Sequence, residues 1–301
     1  MDITINAETN LSLEDLKSVK ANIKFFIDEL ASDLNIKYLT EIIFTNKFKE
    51  DVFLLQRKYG LQEEVTDDET AICIGKTIYN SKNKSCVIIF GITILNDIFE
   101  RGSRTQQMIN LINHELGHVH DNTMNWKIKN AVDELSDNIY IPSGLILWEE
   151  YIATRLASKT MGKDSNFGFT EIVYYYEATS LLVNKAICNY QLNRNMILLF
   201  NNIYLDISRF IISCCYSFGY LDGHVLDDLS KMDILESNLK NIFQLSYIKS
   251  LHTELVKLYE KYPHWESAND LHHLSKAYFD CWNIFGIKID YDGKGLVLNI
   301  I

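Results

Sequence analysis

The spacing of apolar residues changes character about a third of the way along this 301-residue chain. Before residue 100, short runs rich in β-branched residues alternate with stretches in which apolar residues recur every three to four positions. From Ser103 onward the helical spacing dominates, and the whole chain contains only two prolines, Pro142 and Pro263. A small mixed-sheet region followed by a mostly helical half predicts an α+β fold. We assign residues 1–125 to the α/β part and residues 126–301 to the helical part.

The first hundred residues supply most of the predicted sheet. Ser12 and Asp15 mark the start of a helix whose apolar positions continue to Leu34. The run CVIIFGITIL at residues 86–95 is almost wholly apolar, which predicts a strand covered on both faces. The other predicted elements are a helix at residues 49–59 that Gly60 ends, and strands at residues 40–45, at residues 71–78 and within the last ten residues.

The composition is that of an ordinary globular protein, with 47% hydrophobic and 23% charged residues. The formal net charge of −11 argues against a nucleic-acid partner, because such binding needs a basic surface that displaces counterions. No apolar run reaches the roughly 20 residues that span a bilayer. The amino terminus lacks the basic and apolar regions of a secretory signal. We therefore expect a cytoplasmic protein without a membrane partner.

The six cysteines favour a reducing compartment. They show no CxxC spacing, and Cys214 and Cys215 are adjacent, which rarely suits a disulfide. We predict that all six are buried, reduced thiols; they are Cys73, Cys86, Cys188, Cys214, Cys215 and Cys281.

A helix is predicted to begin near Ser103, because Ser103 and Gln106 have the spacing of a capping box. The apolar residues that follow recur at helical spacing and would face a core. They are Met108, Ile112, Leu116 and Val119. This helix carries the sequence HELGH at residues 114–118, which is an HExxH motif.

The two histidines of this motif have the spacing of metal ligands. His114 and His118 are four residues apart, so their imidazoles lie on one side of a helix, one turn from each other. Two ring nitrogens can then approach one ion at the about 2.0–2.1 Å that zinc requires. Glu115 lies beside them and can accept a proton from a water molecule at the ion. The alternative is a surface helix that carries two histidines by chance.

A catalytic zinc site needs a third protein ligand, for which Glu150 is the candidate. Pro142 and Ser143 predict the start of a helix that contains it. Ala153 and Ala157 follow Glu150 on its own face, and small residues there would let a second helix come close. We therefore expect a single tetrahedral site with two histidines, one carboxylate and an open position.

Three other polar residues lie near the candidate ligands in the sequence. Glu149 is the alternative carboxylate, but it shares a face with Ile152 and Leu156 and is predicted to face the core. Asp121 competes as a ligand, and it could instead orient an imidazole or face solvent. His120 should point away from the other two histidines and lie at the surface.

The motif HELGH followed by a helix of the form EYxAxR resembles the gluzincin metallopeptidases, in which a glutamate on a later helix is the third ligand. The second helix is most similar to those of HtpX-type and prenyl-protein-processing peptidases (E-x-x-A-D) and of ImmA/IrrE-type peptidases (E-x-x-A-N). Matching Ala153 to their alanine places Glu150 on their ligand and Glu115 on their general base. The resemblance covers residues 85–160. It implies a zincin-like fold, one Zn²⁺ per chain and a peptide or protein substrate.

The chain departs from these relatives in two ways. Thr154 stands where they have Asp or Asn, so a hydrogen bond to a ligand histidine would have to come from its hydroxyl or from elsewhere. The membrane spans of the HtpX group are absent from the sequence, and so is a helix-turn-helix signature of the kind associated with ImmA/IrrE-type regulators.

A gluzincin also needs a donor for the developing oxyanion. The candidates are Tyr220, His224 or one of the tyrosines at residues 174–176, each of which could equally be a packing residue. The remaining histidines lack ligand spacing and are interpreted as structural or surface residues; they are His252, His264, His272 and His273.

Two classes of function remain open from the sequence. The first is a zinc peptidase with Glu115 as general base, which includes an intracellular toxin or defence effector that uses the same chemistry. The second is a non-catalytic protein, stabilised by zinc, that regulates or binds a partner. A purely structural site has no need of Glu115, which favours the first class. Substrate and oligomeric state stay undetermined.

Overall fold

The structure is a computed structural model of the chain. It describes all residues except 7–11, 64, 66–72, 101–103, 136–138, 162–168, 225–232, 234–236, 238–244 and 292–294. The chain forms two compact units. The first contains Met1–Trp126 and Lys159–Gly162, and the second contains Lys127–Ser158 and Lys163–Ile301.

The first unit contains a small sheet and four helices in its described part. Its elements are β1 (Asp2–Asn6), α1 (Leu13–Leu30), β2 (Leu39–Thr45), α2 (Phe48–Tyr59), β3 (Gly75–Asn80), β4 (Ser85–Gly91), α3 (Thr93–Phe99) and α4 (Thr105–Met124). The four strands have the order β1-β2-β4-β3. β1, β2 and β4 are parallel, and β3 pairs antiparallel with β4, which makes the sheet mixed.

Both faces of β4 are covered, as its apolar run predicted. Ile88 and Phe90 face a core that includes Ile27 of α1 and the predicted stripe of α4. Val87 and Ile89 face the opposite side, where they pack against Val52 of α2 and Ile78 of β3. All four stripe residues of α4 are buried: Met108, Ile112, Leu116 and Val119. Helix α4 is therefore held against the sheet by the face opposite to that of its histidines.

The elements of this unit differ from the prediction at several boundaries. β4 ends at Gly91, and Ile94 and Leu95 belong to α3 instead of a longer strand. Helix α1 ends at Leu30 and does not continue to Leu34, although Ser12 caps it as predicted. The residue that precedes α4 is Arg104, which makes no side-chain cap. The predicted cap Ser103 and the first residues of the predicted strand at 71–78 lie outside the described residues.

The described part of the second unit is helical apart from a terminal hairpin. Its helices are α5 (Trp126–Asp133), α6 (Tyr140–Ala157), α7 (Phe169–Asn193), α8 (Met196–Gly223), α9 (Leu245–Lys261) and α10 (His272–Asp280), and its strands are β5 (Ile287–Tyr291) and β6 (Leu296–Ile300). β6 pairs antiparallel with β5, as the apolar carboxy-terminal residues predicted. Together the two units confirm the α+β fold class with a mostly helical second half.

Helix α6 begins earlier than predicted and is packed tightly on two sides. It starts at Tyr140, so Pro142 lies in its first turn, and the Ser143 hydroxyl donates to the backbone oxygen of Ile139 instead of capping the helix. A Cβ added to Gly219 of α8 would lie 2.5 Å from the Tyr151 backbone oxygen. A Cβ added to Gly144 would lie 2.4 Å from Ser275 Oγ of α10. Glycines therefore set how closely α6 approaches both neighbours.

Helix α8 departs from the expectation that no segment could span a bilayer. Among the described residues it is the one helix long and apolar enough to do so. The same length and composition occur in core helices. In its carboxy-terminal half, Phe210, Cys214 and Phe218 are fully buried in the second unit.

Candidate metal centre

Helix α4 brings its two histidines to one point. The Nε2 atoms of His114 and His118 lie 3.1 Å apart, and the two rings are perpendicular. Two nitrogens that each lie about 2.0–2.1 Å from one tetrahedral ion are about 3.3–3.4 Å apart. The distance between the two Nε2 atoms is therefore close to the distance between two nitrogens that bind one zinc ion.

His114, His118 and Glu150 form a group that could hold a metal ion. Each offers one ligand atom, and the three ligand atoms all lie within 4.8 Å of one another. All three residues are partly buried. Two imidazole nitrogens and one carboxylate oxygen are the donors of several catalytic zinc sites, and they leave a fourth position for water. The donor set therefore fits zinc.

Glu115 is buried and held by a hydroxyl from the sheet. The Thr77 hydroxyl of β3 lies 2.7 Å from Glu115 Oε2, to which it donates, and 3.1 Å from the Glu115 backbone oxygen. Thr77 and Gly75 alternate along β3 with Ile78, which faces the opposite side of the sheet. The face of β3 that carries Thr77 is therefore the face that covers α4.

Gly75 leaves room for the second oxygen of the same carboxylate. A Cβ at this position would lie 3.0 Å from the Phe90 ring and 3.4 Å from Glu115 Oε1. Neither Gly75 nor Thr77 was predicted as a site residue from the sequence. A glycine inside a strand does signal a close approach of another group, and this signal could have found Gly75.

The residues that follow the motif are more buried than predicted. His120 is only partly exposed, and its Nδ1 accepts a hydrogen bond from the backbone N–H of Asn35 at 2.7 Å. Burial lowers the pKa of His120, although the nearby Asp121 opposes this shift. Asp121 is fully buried and accepts a hydrogen bond from the Asn125 side chain at 2.9 Å, so it does not face solvent. The metal-ligand group contains neither His120 nor Asp121.

Two side chains of α4 bond to the segment that follows α6. Gln106 donates to the Thr160 backbone oxygen, and the Asn110 amide donates to the Thr160 hydroxyl at 3.1 Å. Gln106 therefore binds Thr160, and its predicted capping box with Ser103 falls outside the described residues.

Glu149, the alternative third ligand, has a partner of its own. Lys129 Nζ of α5 lies 2.6 Å from Glu149 Oε1, and the Lys129 side chain is only 3% exposed. Glu149 therefore neutralises a buried cation and does not pack into an apolar core as predicted. Burial and the charge of Glu149 raise the pKa of the neighbouring Asp133, and Lys129 opposes this shift.

Tyr151, which follows Glu150, belongs to a buried polar cluster around Asp222. The Tyr151 hydroxyl donates to Asp222 Oδ2 at 2.7 Å and accepts from Arg155 Nη1 at 2.5 Å. His252 Nε2 lies 2.9 Å from the same Oδ2. Burial raises the pKa of Tyr151, and the charge of Asp222 adds to this. Burial also raises the pKa of Asp222, but bonds from His252 and Tyr151 and the charge of Arg155 outweigh it and lower the pKa overall.

The residues that were suggested as oxyanion donors have different surroundings. Tyr220 is buried, and its ring lies 4.1 Å from that of His224, centre to centre. Tyr174 is exposed, whereas Tyr176 packs against Phe210. Their participation in catalysis stays a prediction.

The six cysteines are all free, as predicted, but they are not all buried. Cys188 is exposed and Cys73 is partly exposed. Burial raises the pKa of Cys215 well above its ordinary value, and Glu150 is among the negative charges that contribute. Cys215 therefore stays a neutral thiol near the Glu150 carboxylate.

Comparison of the chain with family models, with curated proteins and with solved structures finds no match in any of the three. The case for the site therefore depends on its residues and their geometry.

Proposed function

We propose that this chain is a zinc-dependent peptidase whose ligands are His114, His118 and Glu150 and whose general base is Glu115. The observation that carries the proposal is the convergence of three ligand atoms within 4.8 Å, next in sequence to a buried carboxylate. A structural zinc site usually has four protein ligands, whereas a site with three leaves a position for water or substrate. The free cysteines are consistent with the proposed cytoplasmic location.

Zinc held there would supply Lewis acidity, which polarises a carbonyl and lowers the pKa of a water ligand. The Thr77 hydroxyl donates to Oε2 of Glu115, and we assign the role of base to Oε1, which accepts no hydrogen bond from Thr77. Glu115 accepts a proton from the attacking water and passes it to the leaving amine nitrogen. Thr77 holds the carboxylate in one orientation while the proton moves.

The position of β3 at the edge of the sheet favours a peptide as the substrate. Of the strands that the structure describes, β3 pairs with β4 alone, so no described strand occupies its other edge. The Thr77 contact brings this strand into direct contact with Glu115. An extended peptide that adds to such an edge gains main-chain hydrogen bonds whatever its sequence. Its scissile bond would then lie close to the base.

The test combines metal content with hydrolysis. Purified wild-type protein should hold close to one zinc per chain by elemental analysis. When loaded with zinc it should cleave members of a fluorescence-quenched peptide library. Glu115→Gln should retain the zinc and lose at least about 10²–10⁴-fold in rate, because an amide cannot accept the proton.

The outcomes separate the proposed function from its alternatives. A wild-type chain without bound zinc after expression in zinc-replete medium would overturn both the metal site and the peptidase. Bound zinc combined with equal, background-level cleavage by wild type and Glu115→Gln would reject the peptidase and favour a non-catalytic zinc protein. Loss of zinc from Glu115→Gln would show that Glu115 is a ligand and not a base.

A further inference from the structure

Helix α7 is apolar on two opposite faces, and only one of them is covered in the described structure. One face packs in the second unit, mainly against α8, and is buried at Ile172, Thr179, Val183 and Ala186. The opposite face carries a stripe of exposed residues at helical spacing: Tyr174, Leu181, Cys188 and Leu192. The exposed fractions are 57% for Tyr174, 72% for Leu181 and 87% for Leu192. A contiguous exposed apolar stripe rimmed by polar residues is typical of an interaction surface, so this stripe calls for a partner.

Four residues on or beside the stripe occupy positions symmetric about Leu181. Tyr174 and Cys188 lie seven residues before and after it, and Glu177 and Lys185 lie four residues before and after it. Glu177 and Lys185 are both exposed, so their charges flank the apolar stripe. When two copies of such a helix pack antiparallel about this centre, the positive charge of each lies level with the negative charge of the other.

We propose that this face of α7 docks against the same face of a second copy of the chain. The two helices run antiparallel about a two-fold axis at Leu181, so residue pairs equidistant from Leu181 lie at the same level. Leu181 then meets its twin, and each Glu177 lies level with Lys185 of the other copy. Tyr174 lies level with Cys188 in the same way. The interface is isologous, as the commonest protein dimers are.

A bilayer with anionic headgroups is the other occupant that the surface suggests. Residues 178–205 contain Lys185 and Arg194 and no acidic residue, within a chain of net charge −11. A bilayer leaves the symmetric charge order unexplained, however, and it would press Glu177 against anionic lipid. A second copy gives both Glu177 and Lys185 a partner of opposite charge, so we favour a second copy over a bilayer.

Charge exchange tests the pairing directly. The mass of the full-length protein is measured by light scattering and sedimentation equilibrium over a range of concentrations, and wild type should form a dimer. Glu177→Lys and Lys185→Glu each place like charges level with each other twice per dimer, so each should weaken dimerisation about ten-fold. The double variant restores opposite charges in exchanged positions and should recover wild-type affinity. Leu181→Asp should give a monomer with an unchanged circular dichroism spectrum.

A disulfide trap tests the register. In a Cys188→Ser background, Leu181→Cys places a thiol on the two-fold axis and should give a covalent dimer on mild oxidation. Gln191→Cys is a control at another exposed position, ten residues farther along the helix. In the antiparallel arrangement the two control thiols lie about 30 Å apart, because a helix rises about 1.5 Å per residue. They should therefore not form a crosslink.

Three results would overturn the proposal. One is a wild-type chain that stays monomeric at every concentration. Another is a dimer that both single charge variants leave unchanged, or that the double variant fails to recover. The third is a monomer that binds phosphatidylserine vesicles and loses this binding in Leu181→Asp, which would assign the face to a bilayer. None of these measurements depends on zinc or on hydrolysis.

Discussion

At the scale of single residues, two adjacent carboxylates on α6 have different partners. Glu149 neutralises Lys129, which is almost fully buried, whereas Glu150 belongs to the group of potential metal ligands. Successive residues of a helix point about 100° apart, so one helix can direct two neighbours to different sites. Glu149 therefore pairs with a buried cation, and Glu150 belongs to the potential metal-ligand group.

Replacing the two glutamates one at a time separates these roles. Glu150→Gln should lower zinc affinity by more than the about 10–100-fold typical of residues that only orient a ligand. Glu149→Gln should keep one zinc per chain but lower the free energy of unfolding by about 3 kcal/mol, because Lys129 loses its charged partner. Zinc content after dialysis and urea denaturation measure the two effects. If Glu149→Gln lost its zinc and Glu150→Gln kept it, Glu149 would be the metal ligand. The match of Ala153 to the alanine of the gluzincin peptidases would then be wrong.

The residues of the site differ in how far the sequence could predict them. His114, His118 and Glu115 follow from a spacing of four along one helix, which is a local pattern. Thr77 is 38 residues from Glu115 and reaches it only through the packing of β3 on α4. A threonine in a strand is ordinary, so nothing in the sequence distinguishes it. Thr154 packs closely against Gly219, where an added Cβ would lie 2.9 Å from Thr154 Cβ. The predicted hydrogen bond from Thr154 to a ligand histidine stays a prediction.

At the scale of elements, Gly219 decides how α8 packs against the helix that carries Glu150. An added Cβ would lie 2.5 Å from the Tyr151 backbone oxygen and 2.9 Å from Thr154 Cβ. The first of these neighbours is backbone, so neither a rotamer change nor a flexible side chain could relieve the contact. Any larger residue must therefore displace α6 or α8.

Gly219→Ala should lower the free energy of unfolding by about 1–3 kcal/mol, the usual cost of overpacking a core. This destabilisation is larger than the stabilisation of up to about 1 kcal/mol that alanine gives over glycine within a helix. Gly295→Ala is the matched control, because a Cβ there meets no atom within 4 Å. Urea denaturation of both variants measures the difference. Equal stability of the two variants would contradict the close packing of α6 on α8.

The elements were predicted best where a single period or stop signal is strong. Helix α2 ends at Gly60, whose φ of 73° is a left-handed conformation that glycine adopts without strain. The apolar run at residues 86–95 was predicted as one strand but divides after Gly91, where β4 gives way to α3. A continuous apolar run carries no period, so it cannot distinguish a buried strand from a buried helix. The early start of α6 has a similar cause, since Pro142 fits anywhere in a first turn.

At the scale of the whole molecule, the fold class follows from the sequence, but the polar cluster in the second unit does not. Asp222 of α8 joins Tyr151 and Arg155 of α6 to His252 of α9. These residues are separated by up to a hundred positions, and each is unremarkable where it occurs. Phe218 stacks on His252, and Tyr259 lies under the Arg155 guanidinium at 3.6 Å, so apolar rings enclose the cluster. One carboxylate thus connects three of the helices that form this unit.

This cluster predicts how the stability of the protein changes in acid. The pKa of Asp222 is lower in the folded than in the unfolded chain, so its charge stabilises the fold above its ordinary pKa of about 3.9. That contribution disappears as the pH falls through the lower folded-state pKa, because the carboxylate becomes protonated. Asp222→Asn should therefore cost about 3 kcal/mol at neutral pH and progressively less below about pH 4. Urea denaturation of both proteins at a series of pH values measures the difference, and a difference that stayed constant into acid would show that the charge of Asp222 contributes nothing.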